Sequence, residues 1–355
     1  MHDTNINNTC SFILKNYKQC KNKCNKIYNN IPYCTRHYNK LSLEFQSNNN
    51  INTNNNLFNI AKINEILIKI PELSNYLHLE YINSGTFVDV YKININNNIY
   101  ALKYQDLHNK KNVLYYEYLL LSNHINNHIN IVNNHINIVN ENVKNTKLKS
   151  YYFKNKEYVL ILTEYLPTSY YYFIENNIIN NLDSINIIKN IGIQLINAIK
   201  YIHENKYLYI DLKPDNIMFK NNILKLIDFN LCIKYLDSYS KYYPNNKLKT
   251  RQGNDIYSSR NINLGFRGVR IDDIESILYI LLDLLFVDEF ICIKQSKQLK
   301  LIIDKKKYIF TCKFKYSFIN SFIEEINKYV SNDSINNELQ NKQINYTNFL
   351  KILNF

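Results

Sequence analysis

The order in which apolar patterns arrive limits the folds open to this chain of 355 residues. Short β-rich runs come first, from Leu79 to Ile82, Val88 to Ile95 and Ile99 to Tyr104. A helical stretch around Val113 to Leu121 follows, then one more strand from Tyr158 to Glu164, then a long, mainly helical second half. Runs of β-branched and aromatic residues pair as strands, whereas apolar residues recurring at three and four positions form helices. Strands first and helices after predict an α+β fold with two lobes, a small β-rich one followed by a larger helical one. Ahead of both, Leu57, Ile60, Ile63, Leu67 and Ile70 fall at helical spacing, so a lead-in helix is expected to end near Pro71.

The helical half carries Tyr209-Ile-Asp-Leu-Lys-Pro-Asp-Asn216 and, shortly after, Leu226-Ile-Asp-Phe-Asn-Leu231. These side chains suit phosphoryl transfer, which needs an aligned hydroxyl, neutralised phosphate charge and held Mg²⁺ ions. Asp211 is placed to accept a hydroxyl proton, and Lys213 to offset charge on the moving group. Asn216 and Asp228 offer the hard oxygen ligands that Mg²⁺ prefers.

Both motifs resemble the catalytic loop (H-R-D-L-K-x-x-N) and metal motif (D-F-G) of eukaryotic protein kinases. The resemblance implies the two-lobed kinase fold, ATP with Mg²⁺, and protein substrates; Lys213 follows the pattern of kinases that phosphorylate Ser and Thr. Ala101-Leu102-Lys103 matches the strand carrying the phosphate-anchoring lysine, and Glu117 is its expected ion-pair partner. Asn83-Ser84-Gly85-Thr86-Phe87-Val88-Asp89-Val90 stands where the family has the nucleotide loop G-x-G-x-x-G-x-V, with only the middle glycine kept. Asn83 tolerates positive φ, but at Val88 it would cost on the order of 1–2 kcal/mol, so a looser loop is expected. Thr163 and the connector Glu164-Tyr165-Leu166 would frame the adenine.

Further departures are Tyr209-Ile210 in place of His-Arg, which speaks against activation by a phosphorylated loop, and Asn230 in place of the metal motif's glycine. Asparagine is at home in left-handed turns, so Asn230 could still aim Asp228. The run from Asp228 to Asp237, Gly253-Asn-Asp-Ile-Tyr-Ser-Ser259, and Arg270-Ile-Asp-Asp-Ile-Glu-Ser276 resemble the casein kinase I group, which includes the vaccinia-related and poxvirus kinases. By that likeness, which covers about residues 76–355, Asp273 braces the catalytic-loop backbone from a buried helix. Ile256 in place of an arginine argues against a preference for pre-phosphorylated substrates. The alternative on the same fold is a pseudokinase, an ATP-binding or scaffold protein, favoured by the lost glycines. Retention of every charged group that the reaction needs favours activity.

Cys10, Cys20, Cys24, Cys34 and His37 cluster near the start. Zn²⁺ takes four tetrahedral N/S ligands, and so short a segment lacks a core of its own. Cys10, Cys24, Cys34 and His37 are the favoured set with Cys20 as alternate, against a disordered tail with incidental thiols. The expected division is 1–40 zinc segment, 41–75 Asn-rich linker and lead-in helix, 76–166 small lobe and 167–355 large lobe. His128-Ile-Asn-Ile-Val-Asn133 recurs as His135-Ile-Asn-Ile-Val-Asn140 and reads as an expanded surface loop. Cys232, Cys292 and Cys312 read as buried fillers, His203 as structural, and Tyr170-Tyr-Tyr172 as a helix start.

A net charge of +13 would suit nucleic acid, but abundant Asn, Ile, Lys and Tyr with only 5 glycines point to A/T-rich coding, and nucleic acid is not the expected main partner. The longest apolar stretch, Ile274 to Val287, contains Glu275 and Asp283, so no membrane span is expected. Without the basic start and apolar run of a signal peptide, an intracellular monomer is expected; the coding bias suggests a large DNA virus, hence infected-cell cytoplasm or virion.

Overall fold

The computed structural model describes residues 26–28 and 31–33, 60–108 apart from 72, 86 and 87, a helical turn at 113, 114 and 117, and 151–354 apart from 155, 179–182, 245 and 331–342. Two compact units divide the chain, Met1–Tyr81 and Ile82–Phe355.

In the first unit, β1 (Lys26–Tyr28) pairs antiparallel with β2 (Ile31–Tyr33), with Lys26 opposite Tyr33. A helix at 60–68 buries Ile63 and Leu67, and the turns after it bury Ile70 and Leu73, so the apolar spacing does become a helix that stops before Pro71. Tyr76, opening β3 (Tyr76–Ser84), donates its hydroxyl to Asn64 Oδ1 at 2.7 Å.

The second unit starts within β3 at Ile82. Its sheet has the order β3-β4-β5-β7-β6, with β4 (Asp89–Ile95), β5 (Asn98–Asp106), β6 (Tyr151–Lys154) and β7 (Tyr158–Glu164). Alternation along β5 buries Tyr100, Leu102 and Tyr104 on one face and turns Ala101 and Lys103 to the other. β7 is buried along nearly its whole length, as a central strand should be. β4 and β5 are joined by Asn96-Asn97, both at positive φ (50° and 62°). A two-residue hairpin of that hand matches the twist of the strands and is usually made with glycine. The same device joins β10 (Ile217–Lys220) to β11 (Ile223–Leu226), where Asn221 and Asn222 stand at 53° and 62°.

The helical region comprises Tyr170–Asn177, Ser184–Glu204, Arg260–Asn263, Arg270–Leu284, Asp288–Lys294, Leu299–Ile309, Ser317–Asn327 and Tyr346–Asn354. Arg270–Leu284 is buried nearly all round and is the hub: Ser184–Glu204 and Ser317–Asn327 pack on it, and Tyr346–Asn354 lies on those two. Apolar residues on every side suit a helix enclosed by others; among the described residues no helix is long and apolar enough to cross a membrane. Ser169 caps the Tyr170–Asn177 helix by accepting from Tyr172 N; Tyr170 is buried while Tyr171 and Tyr172 are exposed.

Several expectations need correction. Cys292 is exposed on its helix and Cys232 and Cys312 are only half-buried, so none is a buried filler. The strand β6 and the β10–β11 hairpin carry no expectation from the apolar pattern. The histidine repeat and the Cys10, Cys20, Cys24, Cys34 and His37 cluster lie outside the described residues.

Candidate active site

Between β9 (Tyr207–Leu208) and a 3₁₀ turn at Pro214–Asn216 the chain bends, with Asp211 N donating to Tyr209 O at 2.9 Å. Within that bend Ile210 has φ of 72°. A β-branched residue there costs about 1–3 kcal/mol and persists only where surroundings enforce it. The enforcer is Asp273 on the hub helix, whose carboxylate accepts from Tyr209 N and Ile210 N, both at 2.8 Å. His203 Nε2 also meets this carboxylate at 2.8 Å, and its Nδ1 meets the Tyr346 hydroxyl at 2.6 Å. Ile210's side chain sits among Leu208, Tyr235 and Ile262. A buried carboxylate is costly unless hydrogen-bonded, and three donors satisfy this one. His203 is structural, as expected.

The bend aims Asp211 and its neighbours at one another. Lys213 Nζ donates to Asp211 Oδ2 at 2.7 Å, and Asn216 Nδ2 reaches the same oxygen at 3.2 Å and the Asp211 carbonyl at 2.8 Å. The other carboxylate oxygen accepts from Asn254 Nδ2 at 3.1 Å.

Beside this cluster lies a cavity of about 520 Å³ whose walls include Asn83, Val90, Lys103, Glu117, Glu164 and Leu166. Lys103 and Glu117 form a 2.5 Å ion pair with Glu117 only 2% exposed. Burial opposes the Lys103 charge, but Glu117 and Asp228 outweigh it and hold the ammonium above its ordinary pKa. Ala101, Met218 and Phe229 give the cavity apolar surface around these charges.

A family model described as "Protein kinase domain" matches residues 76–342, well over half of the chain. The chain belongs to the protein kinase family.

In this kinase domain the expected nucleotide residues are only partly gathered at one wall. Ser84, Gly85 and Val88 do not line the cavity, Asn216 and Asp228 flank it through neighbours such as Ile227 and Phe229, and Thr86 and Phe87 lie outside the described residues. Neither Asn83 nor Val88 has positive φ, so the costly left-handed backbone at Val88 is avoided. Instead Gly85 N donates to Val88 O at 2.8 Å and Ser84 Oγ to Asp89 Oδ1 at 2.5 Å. The left-handed residue of the metal motif is Asp228 itself, at 59°, not Asn230. Asn230 N returns to Asp228 Oδ1 at 3.3 Å. Tyr209, in the place of the family's histidine, donates its hydroxyl to Ile227 O and sets its ring edge-on to Phe229 at 5.5 Å. It thereby ties the catalytic loop of the kinase domain to its metal motif.

One partner of Asp211, Asn254, is given no role by any of the sequence motifs. Asn254 is 43 positions away and is locked by Tyr257 N donating to its Oδ1 at 2.6 Å and by its own N donating to Ser258 Oγ at 3.0 Å. The signal available was Gly253, whose φ of 68° marks a sharp turn just before it. Glu164 was expected to serve through its backbone, and its carboxylate is occupied separately, paired with Lys220. Among the described residues no three His, Cys, Asp or Glu cluster as a metal site.

Proposed function

We propose that this protein is an active Ser/Thr kinase that transfers the γ-phosphate of ATP to hydroxyls of protein substrates. The observation that carries the reading is the Asp211–Lys213–Asn216 cluster beside a cavity whose buried Lys103 is paired with Glu117. A bare nucleotide-binding scaffold has no need to hold a lysine 2.7 Å from the carboxylate that would meet the substrate.

In this reading the adenine enters the apolar part of the cavity between Ala101, Leu166 and Met218. Lys103, charged and fixed by Glu117, holds phosphate oxygens. Asp211 orients the substrate hydroxyl and accepts its proton as the new P–O bond forms. Lys213 offsets the negative charge that develops on the moving group, which is the largest service a protein provides in this chemistry. Asn216 and Asp228 fit a magnesium site. Asn216 spends its amide NH₂ on Asp211, and among the described residues its oxygen carries no hydrogen bond and the Asp228 carboxylate accepts only from Asn230 N, at 3.3 Å. Bound there, Mg²⁺ would neutralise phosphate charge. Affiliation to the casein kinase I group is supported by the likeness of the runs Asp228 to Asp237, Gly253 to Ser259 and Arg270 to Ser276, the last two of which meet where Ser259 Oγ donates to Asp272 Oδ1 at 2.7 Å.

The test is transfer of labelled phosphate to acidic, casein-like proteins. Asp211→Asn is expected to lower kcat by about 10²–10⁴-fold, the usual worth of a positioned base. Equal rates for this variant and wild type would refute the proposal. Thermal stabilisation by Mg-ATP without any turnover would establish the scaffold reading instead.

For the first 40 residues the reading remains one structural zinc held by Cys10, Cys24, Cys34 and His37, supported by the β1–β2 hairpin that falls between Cys24 and Cys34 in the sequence. Metal analysis of the full chain should return about one zinc, since four such ligands bind tightly at neutral pH.

A further inference from the structure

Lys306 has no exposed surface. It stands in a Lys305-Lys306-Lys307 run on the Leu299–Ile309 helix, where lysines would ordinarily cover the surface and reach water. Lysine is almost never fully buried unless its charge is met. Among the described residues Lys306 forms no ion pair. Its three N–H groups are instead spent on three oxygens: Asp255 O at 2.9 Å, Asn263 Oδ1 at 2.6 Å and Ser258 O. The ammonium also lies 4.6 Å from the centre of the Tyr279 ring, a favourable cation–π distance.

All three oxygens belong to the segment that reaches the catalytic cluster. Asn263 turns its Nδ2 to Asn254 O at 3.4 Å, and Ser258 receives Asn254 N on its hydroxyl at 3.0 Å. Both routes converge on Asn254, whose Nδ2 holds Asp211 Oδ1 at 3.1 Å. The turn between them admits no side chain at Gly253, because a Cβ there would collide with Ser258 Oγ. Three carbonyl oxygens aimed at one point repel one another unless a donor sits between them, and a buried acceptor left unpaired is costly. Lys306 supplies that donor.

We propose that Lys306 is a positioning residue for phosphotransfer, which clamps the Gly253–Ser259 loop from beneath and so fixes Asn254 against the carboxylate of Asp211. The inference rests on Asp211 being the residue that receives the substrate proton. The charges facing Lys306 are Glu275 on the hub helix, already engaged by Arg260, and Asp255, engaged by Arg251. Neither takes over its contacts.

The experiment compares wild type with Lys306→Met, which keeps the length of the side chain and removes all donors. Three quantities are read: amide exchange at Asn254 and Tyr257, steady-state kinetics with a protein substrate, and ATP affinity by calorimetry. Exchange at both amides should quicken and kcat should fall, each by about tenfold, the size of a typical coupling inside one network. ATP affinity should hold within about twofold, because none of these residues lines the nucleotide cavity. In a double-mutant cycle the loss from Lys306→Met should vanish on an Asn254→Ala background. Unchanged exchange and kcat in Lys306→Met, or fully additive losses in the cycle, would overturn the proposal. Should Lys306→Met not fold, Asn263→Ala cuts one route with the lysine in place and is expected to shift the same readouts in the same direction; no shift overturns the proposal equally. A wild-type chain without transferase activity would defeat the catalytic reading, whereas exchange at Asn254 and Tyr257 still decides whether Lys306 holds the loop.

Discussion

Ile210 shows how one residue's strain is borne by another. Its left-handed backbone is held by two N–H bonds to Asp273, so the aspartate's removal acts on the loop before it acts on anything else. Asp273→Ala is expected to cost about 3–5 kcal/mol of stability in denaturant titration, since it orphans two buried amides and His203. A loss under about 1 kcal/mol would mean that the loop is held by other means. The need was visible in the sequence, because a carboxylate on so apolar a helix must find donors. The strain was not, since nothing about an isoleucine advertises positive φ; the tertiary contacts impose it. Lys103 and Glu117 were legible through the resemblance to the family's strand lysine and its glutamate partner, and the structure pairs them at 2.5 Å. Asn254 was hidden because only folding brings it to Asp211.

Asn-Asn turns are the element-scale answer to a chain with 5 glycines. Both hairpins place asparagine where left-handed backbone is required, so Asn97→Ala should cost about 1 kcal/mol in a thermal melt, while Asn97→Gly should cost nothing. Equal melts for the two variants would count against this account. The turns also explain what the pattern missed. The strands at β4, β5 and β7 were found from apolar runs, but the β10–β11 hairpin announces itself only through Asn221-Asn222. In a chain so rich in asparagine that pair carries little information. On the Leu299–Ile309 helix, burial draws the Lys306 pKa down to about 7, with Glu275 and Asp255 acting upward and Arg251 and Arg260 downward. The unfolded lysine titrates near 10.4. Between about pH 7 and 10 the unfolded state therefore binds a proton that the folded state has lost, so stability rises with pH in that window and is flat below it, and the three-donor clamp is complete only on the acid side of it. Wild type should accordingly gain on Lys306→Met between pH 7 and pH 9 in matched denaturant titrations; a constant gap would refute this.

Across the whole molecule, the helical core is continuous from the Tyr170–Asn177 helix to the Tyr346–Asn354 helix. Phe349 is fully buried against Phe322 at 5.0 Å between ring centres, and Phe349→Ala is expected to cost about 3–5 kcal/mol. A shift in the denaturation midpoint with unchanged slope would report it. The α+β division was readable from the order of patterns alone, because burial and periodicity are local. The net charge of +13 told little about function, because charge on solvated lysines bears on solubility and association and not on fold.

The Tyr346–Asn354 helix also bears on synthesis. Tyr346, whose hydroxyl meets His203 and so steadies the partner of Asp273, follows that histidine by 143 positions. Translation proceeds at about 5–20 residues per second, so roughly seven to thirty seconds separate the two on the ribosome. During that interval the nascent chain already contains the residues of the catalytic loop but lacks the helix that finishes their support. Synthesis of the Tyr346–Asn354 helix thus sets when the loop's scaffold is complete.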